Sequence, residues 1–425
     1  MTILVLAGLP MAFAVGLASL LVVSLKMGVV GLNIVATSTM GTMQSTILLA
    51  IPLFMLMANL LQKSGIADDL YDLMYKSLGR MRGGLGVGTI LICTIFSAMS
   101  GVSAAATVSM GLIALPSMLK RGYDKHLSMG AIMAGGALGP LMPPSVSCIV
   151  YALVSGVSVG QLFAGSIFPA LLLSALFIIY IVGATQISPN LGPPIPRAEW
   201  VSRREILKKL TALVMPALII AGIFGSMFSG LATPTEASAI GAFGAILSVT
   251  IRRRLTWRLV WECCTETLRL TSMVMWLIVT ATWFGNVYAA IGGPEFVGQL
   301  IGYLGSDRWV ILAGIVFILV ILACFMDVSA IILLGVPVLN PIIRSLGFDP
   351  LWFGVLFIMI METGYLTPPF GMNLFYMRAI VPSGITMLDI YRSVGTFVTL
   401  QMTGVLICVI FPDIITYLPR IIFSD

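Results

Sequence analysis

The sequence predicts an all-α polytopic membrane protein built from two inverted structural repeats, each holding a re-entrant helical hairpin and a broken helix. Three observations predict it. The 425 residues are 59% hydrophobic and only 9% charged. Uncharged apolar runs recur along nearly the whole chain. A set of tip and proline motifs returns after 225 or 226 residues.

Composition sets the class. A soluble domain is about 25% charged, because charge keeps its surface in water. This chain, with mean hydropathy +1.07, has a surface suited to lipid. Its runs reach ~20 residues, enough to cross a hydrocarbon core of ~30 Å, and no polar stretch is long enough for an extramembrane domain. Residues 1–25 carry no Lys or Arg before Lys26, so the basic n-region of a signal peptide is missing and a retained first span is expected. Cys93, Cys148, Cys263, Cys264, Cys324 and Cys408 show neither metal-ligand nor disulfide-framework spacing. They read as small apolar residues, and no transition-metal site is expected. The net charge of +6 fits basic loops on one side of a membrane, with no nucleic acid as partner.

The apolar runs fall at about 3–25, 45–62, 84–119, 127–158, 163–186, 210–229, 236–251, 263–290, 309–345, 350–382 and 394–416. Between them lie basic clusters: Lys120, Arg121 and Lys125; Arg197, Arg203, Arg204, Lys208 and Lys209; and Arg252, Arg253, Arg254 and Arg258. A further loop, 63–82, mixes Lys63, Lys76, Arg80 and Arg82 with Asp68, Asp69 and Asp72. With Arg392 these hold most of the basic residues, and the positive-inside bias places all five segments in the cytoplasm.

Segment 84–119 is therefore flanked by cytoplasmic loops and must enter and leave on one side. It is too long for one span and short for two. With Ser100, Gly101 and Ser103 at its middle, it fits a hairpin with a polar tip. Segment 309–345 has the same length, with Asp327 and Ser329 at its middle and flanks poor in basic residues. It should open to the other side.

The tip Gly101-Val102-Ser103-Ala104 is followed 40 residues later by Pro143-Pro144, and the tip Asp327-Val328-Ser329-Ala330 is followed 39 residues later by Pro368-Pro369. Each Pro-Pro has a glycine four residues earlier, Gly139 and Gly364. Gly65 after the span 45–62 corresponds to Gly292 after 263–290. Repeats of opposite topology are the architecture of many secondary transporters. Proline inside a span breaks the helix, and the freed carbonyls survive in lipid only where they line a cavity or bind an ion.

Each break should therefore offer carbonyls, with the Ser145 or Thr367 hydroxyl, to its own hairpin tip. Such hard oxygen ligands suit Na⁺, while the exposed half-helix N-termini suit an anionic substrate. The expected first cation site uses Ser100, Gly101, Ser103, Gly139 and Ser145; the second uses Asp327, Ser329, Gly364, Thr367 and Asn373. The substrate is expected between the tips, near Ser103, Pro143, Ser329, Pro368 and Asn373.

Several polar residues carry more than one reading. Asp327 lies where a charge costs at least ~2.5–3.5 kcal/mol, which points to cation or substrate coordination, with tip capping as the other role. Glu362 either hydrogen-bonds the unwound segment or meets a ligand. Glu236 in Thr-Pro-Thr-Glu reads as helix capping. Asn373 donates either to a carboxylate or to a broken carbonyl. Arg378 attracts an anion or snorkels to the interface. His126, the single histidine, reads as a solvated loop residue. One histidine rules out a His-Glu-x-x-His zinc site, and no buried His stands beside a serine, so no enzyme is expected. No Gly-x-x-x-x-Gly-Lys phosphate loop is present. A passive channel stays open as a rival.

The strings at 100–104, 139–145, Ala232-Thr233-Pro234-Thr235-Glu236-Ala237, and Phe325-Met326-Asp327 through Thr367-Pro368-Pro369-Phe370-Gly371-Met372-Asn373 resemble the large membrane subunit of the tripartite ATP-independent periplasmic (TRAP) transporters. The resemblance covers essentially the whole chain. It implies an elevator-type carrier, similar to the ion-transporter superfamily, with a scaffold and a mobile transport domain. It also implies a small four-helix membrane subunit and a periplasmic substrate-binding protein as partners. Transport would be driven by Na⁺, with no organic cofactor, and the cargo would be an organic acid such as a dicarboxylate, sialic acid, 2-oxo acid or sulfonate. The setting would be the lipid bilayer of the bacterial inner membrane. A stand-alone sodium-coupled anion symporter is the alternative, although the Ser-Asn-Thr tip motif of the divalent-anion symporters is missing.

On this reading 1–425 is a single membrane domain. Scaffold helices occupy 1–62, and the first transport half covers 84–160, with its hairpin at 84–119 and broken helix at 127–158. Connecting and scaffold helices fill 163–290. The second transport half covers 309–382, with its hairpin at 309–345 and broken helix at 350–382, and a final helix runs over 394–416.

Overall fold

The computed structural model describes residues 9–196, 199–200, 210–296, 299, 307–369 and 371–423. The expected basic cluster Arg197, Arg203, Arg204, Lys208 and Lys209 lies outside these residues, as do the start of the first run and Phe370. Among the described residues the regular elements are helices, and nine of them are long and apolar enough to cross a membrane.

The first helix is longer than hydropathy suggests. Helix α1 (Met11–Met43) continues past residue 25, with one non-helical residue at Gly28. Its polar second half stays helical because hydroxyls bond their own helix: Thr37 donates to the Asn33 carbonyl over 2.7 Å, and Thr42 to Ser38 over 2.9 Å. Such back-bonding removes the cost of a hydroxyl in an apolar setting. After a 3-10 turn at Thr46–Leu49 comes α2 (Ala50–Lys63).

The segment 63–82, expected as a loop, is instead largely helix α3 (Ile66–Leu78). Ile66, Ala67, Leu70, Tyr71 and Leu73 are buried while Asp68 and Asp69 face out, the 3.6-residue period of an amphipathic helix.

Helices α4 (Gly84–Ser100) and α5 (Ser103–Lys120) form the first hairpin. Both of its ends are tied to one short strap: Gly83 donates to the Gly192 carbonyl over 2.8 Å, and Asp124 to the Leu191 carbonyl over 3.0 Å. Then come α6 (Lys125–Ala137) and α7 (Val146–Ser155), the two parts of the first interrupted helix, and α8 (Val159–Ile187).

Helices α9 (Val214–Phe228), α10 (Pro234–Ile251) and α11 (Trp257–Ala290) follow. Thr233 and Glu236 form the expected capping box: Glu236 accepts from the Thr233 backbone amide over 2.7 Å and from its hydroxyl over 2.8 Å. Helices α12 (Arg308–Phe325) and α13 (Val328–Ser345) make the second hairpin. Helices α14 (Pro350–Leu366) and α15 (Met372–Ile380) make the second interrupted helix.

The expected final helix over 394–416 is two helices, α16 (Met387–Ile410) and α17 (Asp413–Phe423). Thr386 and Asp389 cap the start of α16 reciprocally, and Pro412, which has no N–H, separates the two.

Two packing groups result. Helices α1, α2, α9, α10 and α11 pack on one another, and the hairpins pack with α6–α8 and α14–α17; α2 against α4 and α11 against α13 join them. The hairpins are rooted at opposite ends of α16. At its start Asp389 pairs with Lys125 over 2.7 Å, beside Asp124 and the base of the first hairpin. Near its end the Cys408 carbonyl accepts from the Trp352 indole over 3.1 Å. Trp352 stacks on Phe348, which meets Trp309 at the base of the second hairpin.

Basic segments gather on the face of the first root. Lys63 pairs with Glu262 over 2.9 Å, Asp69 with Arg252, and Arg121 with Glu199 over 2.7 Å. The Glu199 carboxylate also accepts from the Tyr75 hydroxyl. That hydrogen bond, helped by Arg121, holds its carboxyl below the usual range. Burial pushes the Tyr75 hydroxyl up to about 12, so it stays a donor.

Candidate functional site

Each hairpin tip meets an interrupted helix, and glycine allows the contact. At the first tip Gly101 ends α4 in the left-handed region (φ 62), donating its N–H to the Ser97 carbonyl over 2.8 Å. Glycine takes this conformation without steric cost. Val102 is extended and Ser103 begins α5.

Across from it the chain unwinds between Ala137 and Val146, with a cis bond between Pro143 and Pro144. A Cβ on Gly139 would stand 2.7 Å from the Ser103 backbone nitrogen, and one on Gly101 would strike the Pro144 carbonyl. Tip and break thus touch backbone to backbone at two points. The second pair has the same parts in a different fit. The unwound stretch between Leu366 and Met372 carries the cis bond Pro368–Pro369. Gly364 packs not on the tip but on Ala323, one turn before it, where a Cβ would lie 2.9 Å from the Ala323 carbonyl carbon.

The expected first set largely assembles. Ser100, Gly101, Ser103, Gly139 and Ser145 are all buried at this junction. The Ser145 hydroxyl, however, is engaged in closing the break. It donates to the Pro140 carbonyl and accepts from the Cys148 amide over 3.2 Å, capping α7.

In the second set, Asp327 and Gly364 border one small cavity of about 10 Å³, together with Val328 and Tyr365. That is roughly the volume one water-sized sphere needs. The Asp327 carboxylate caps α13, accepting from the Ser329 amide over 2.9 Å. The Thr367 hydroxyl turns back to the Thr363 carbonyl over 2.6 Å.

Asn373 does not join the second set. It is fully buried against the first tip, where its Oδ1 accepts from the Ser103 hydroxyl over 2.7 Å and its Nδ2 donates to the Met133 carbonyl over 2.9 Å. Of the residues expected around a substrate, Ser103 and Asn373 are in contact. Pro143 is buried, Pro368 is exposed, and Ser329 sits on the second tip.

Glu362 does bond an unwound segment, but the other one: its Oε1 accepts from the Leu141 amide over 3.1 Å. Its Oε2 accepts from Gln401 Nε2 over 3.2 Å. Gln401 escaped the sequence reading, although a Gln inside an apolar run was the available signal. Arg378 donates to the Ile385 carbonyl over 2.6 Å, closing the loop after α15. His126 is the second residue of α6 and donates from Nδ1 to the Asp389 carbonyl over 3.1 Å, so it is part of a helix contact and not a solvated loop.

A cleft of about 980 Å³ runs between α2, α11 and the first tip. Asn59, Lys63, Glu262, Val102, Ser109 and Tyr376 are among its walls, and the Lys63–Glu262 pair places one end at the basic face.

The family model described as "Tripartite ATP-independent periplasmic transporter, DctM component" matches residues 1–414. The C4-dicarboxylate TRAP transporter large permease protein DctM of Pseudomonas aeruginosa is 33% identical over 377 residues, covering 88% of this chain and 84% of that protein. The isethionate TRAP transporter permease protein DctMQ of Oleidesulfovibrio alaskensis is 31% identical over 415 residues, covering 97% of this chain and 63% of that longer protein. Among solved structures, the YdaH transporter of Alcanivorax borkumensis has a TM-score of 0.66 at 13% identity, over 95% of this chain and 97% of that one. The likeness to it is one of fold.

Proposed function

The chain belongs to the DctM component family of tripartite ATP-independent periplasmic transporters, and from that premise we propose that it imports a small organic acid anion by Na⁺ symport. As a large permease it is a secondary transporter subunit that works with a small membrane subunit and a substrate-binding protein. The observation that carries the sodium reading is the pairing of a hairpin tip with an interrupted helix, twice in one chain. Interrupted helices present carbonyl oxygens that suit a hard monovalent cation. At the second pair Asp327 adds a carboxylate beside an ion-sized cavity. Na⁺ here is a co-substrate bound during each cycle.

The cargo is held between the tips, where the helix N-terminus at Ser103, which no side chain caps, offers positive partial charge to an anion. The relatives named for C4-dicarboxylates and for isethionate support a small organic acid as the class. The cleft beside the first tip is the exit toward the cytoplasm. Helices α1, α2 and α9–α11 act as scaffold while the hairpins and interrupted helices move as an elevator across the bacterial inner membrane. The extra length of the DctMQ relative supports a small partner subunit.

The test is uptake of radiolabelled organic acids into proteoliposomes holding this chain and its small subunit, with and without the binding protein and a sodium gradient. Uptake requiring both supports the reading. Uptake that needs sodium but no binding protein would mean a stand-alone symporter. Non-saturating flux independent of any gradient would mean a channel.

A further inference from the structure

We propose that Glu362 is a positioning residue for the first cation site, acting from the opposite repeat through the backbone amide of Leu141. The inference rests on the sodium-coupled reading above and assigns the residue that holds its first site in shape.

Glu362 is fully buried on α14, two residues ahead of the glycine at which that helix approaches its own hairpin. Its carboxylate does not serve that break. It reaches Leu141, in the middle of the first unwound segment, and is steadied from behind by the fully buried Gln401 of α16.

The Leu141 amide is a sensitive handle. In a trans peptide the N–H and the preceding C=O point in opposite directions, so holding the Leu141 N–H fixes where the Pro140 carbonyl points. That carbonyl accepts from the Ser145 hydroxyl, which in turn caps α7 through the Cys148 amide. One peptide plane is therefore gripped on both sides, by Glu362 and by Ser145. The preceding residue but one is Gly139, whose backbone lies against Val102 and Ser103 of the tip. The Leu141 amide also bonds the Leu138 carbonyl over 3.2 Å, so without Glu362 the plane keeps only the Leu138 and Ser145 bonds and the carbonyls of the break lose part of their aim.

The hold runs one way. Shifted back by the 225-residue offset of the prolines, Glu362 corresponds to Ala137 and Asn373 to Cys148, and neither can return a comparable bond. Both cross-links therefore reach from the second repeat onto the first. Accordingly Pro143 and Pro144 are buried, while Pro368 and Pro369 are exposed.

The experiment measures, in the assembled transporter in proteoliposomes, the sodium concentration for half-maximal uptake and the cargo concentration for half-maximal uptake at saturating sodium. Glu362→Ala should raise the sodium value about tenfold, the scale of one lost buried hydrogen bond, and leave the cargo value unmoved. Glu362→Gln should restore most of the sodium affinity. It keeps an oxygen for Leu141, and its N–H₂ has the unpartnered Gln401 Oε1 to meet. Glu362→Asp, which folds with less disturbance than Ala, keeps the carboxyl group but loses the reach, so it should resemble Ala.

If Gln fails as badly as Ala while Asp behaves as wild type, the charge and not the hydrogen bond matters, and the proposal is overturned. It is equally overturned if Ala leaves the sodium value unchanged in a sodium-dependent wild type. A wild type with no sodium response would remove the transport reading itself.

Discussion

Ser103, at the tip of the first hairpin, donates its hydroxyl to the Oδ1 of Asn373, 270 residues away, over 2.7 Å. Both side chains are buried, and Asn373 passes the link on by donating to the Met133 carbonyl over 2.9 Å. The tip of one repeat and the helix before its break are thus held by a residue of the other repeat. Asn373→Ala leaves the buried Ser103 hydroxyl without its partner, which costs ~1–3 kcal/mol, and removes a second bond from the Met133 carbonyl. Thermal unfolding of the purified variant should show that loss, and its sodium half-saturation should rise. Unchanged stability would mean that the link carries little.

The glycines at the first junction are required by backbone approach. Gly139→Ala places a methyl group 2.7 Å from the Ser103 nitrogen, an overpacking that costs ~1–3 kcal/mol and pushes tip from break. It should depress sodium-driven uptake strongly. Gly183→Ala is the control: nothing lies within 4 Å of its added carbon, and the residue is mid-helix. That change should be neutral, or stabilising by ~0.5–1 kcal/mol. Equal losses for the two would remove the packing argument.

Asp327 combines two roles that one substitution separates. Asn caps a helix about as well as Asp, so Asp327→Asn should preserve the start of α13 and thermal stability. It removes the charge beside the small cavity. Sodium half-saturation should rise roughly tenfold, on the scale of a lost charge-assisted contact. A wild-type sodium response would make Asp327 a cap only.

The strap over 191–196, with Glu199 beside it, should loosen in acid. The Glu199 carboxyl is held low by the Tyr75 hydroxyl and Arg121. A depressed carboxyl contributes its stability above the ordinary carboxylate range and loses it as pH falls through the folded value. Hydrogen exchange at the Ile195 amide, bonded to the Gly79 carbonyl over 2.8 Å, should accelerate on acidification. Glu199→Gln should abolish that dependence. A pH-independent rate in wild type would contradict the prediction.

Local chemistry made much of this legible in the sequence. The hairpin tips, the Pro-Pro breaks and the Thr233–Glu236 box announce themselves by residue type and spacing. The second half of α1 did not, because Thr37 and Thr42 lower the hydropathy while satisfying their own hydroxyls within the helix. Helix α3 was hidden by its acidic residues, although its apolar period was present. The backbone partners of Glu362 and Asn373 had no signature. Bonds at sequence separations of 221 and 240 end on a backbone amide and a carbonyl, which any residue supplies. The sequence showed that these side chains were costly to bury; only the fold shows what they hold.

The most direct test of two tip-and-break cation sites is the sodium dependence of uptake in proteoliposomes containing the assembled transporter, measured together with radioactive sodium influx. Two coupled sites predict a sigmoidal dependence and sodium entering in company with the cargo. Uptake indifferent to sodium, or cargo entry with no accompanying sodium influx, would contradict the account.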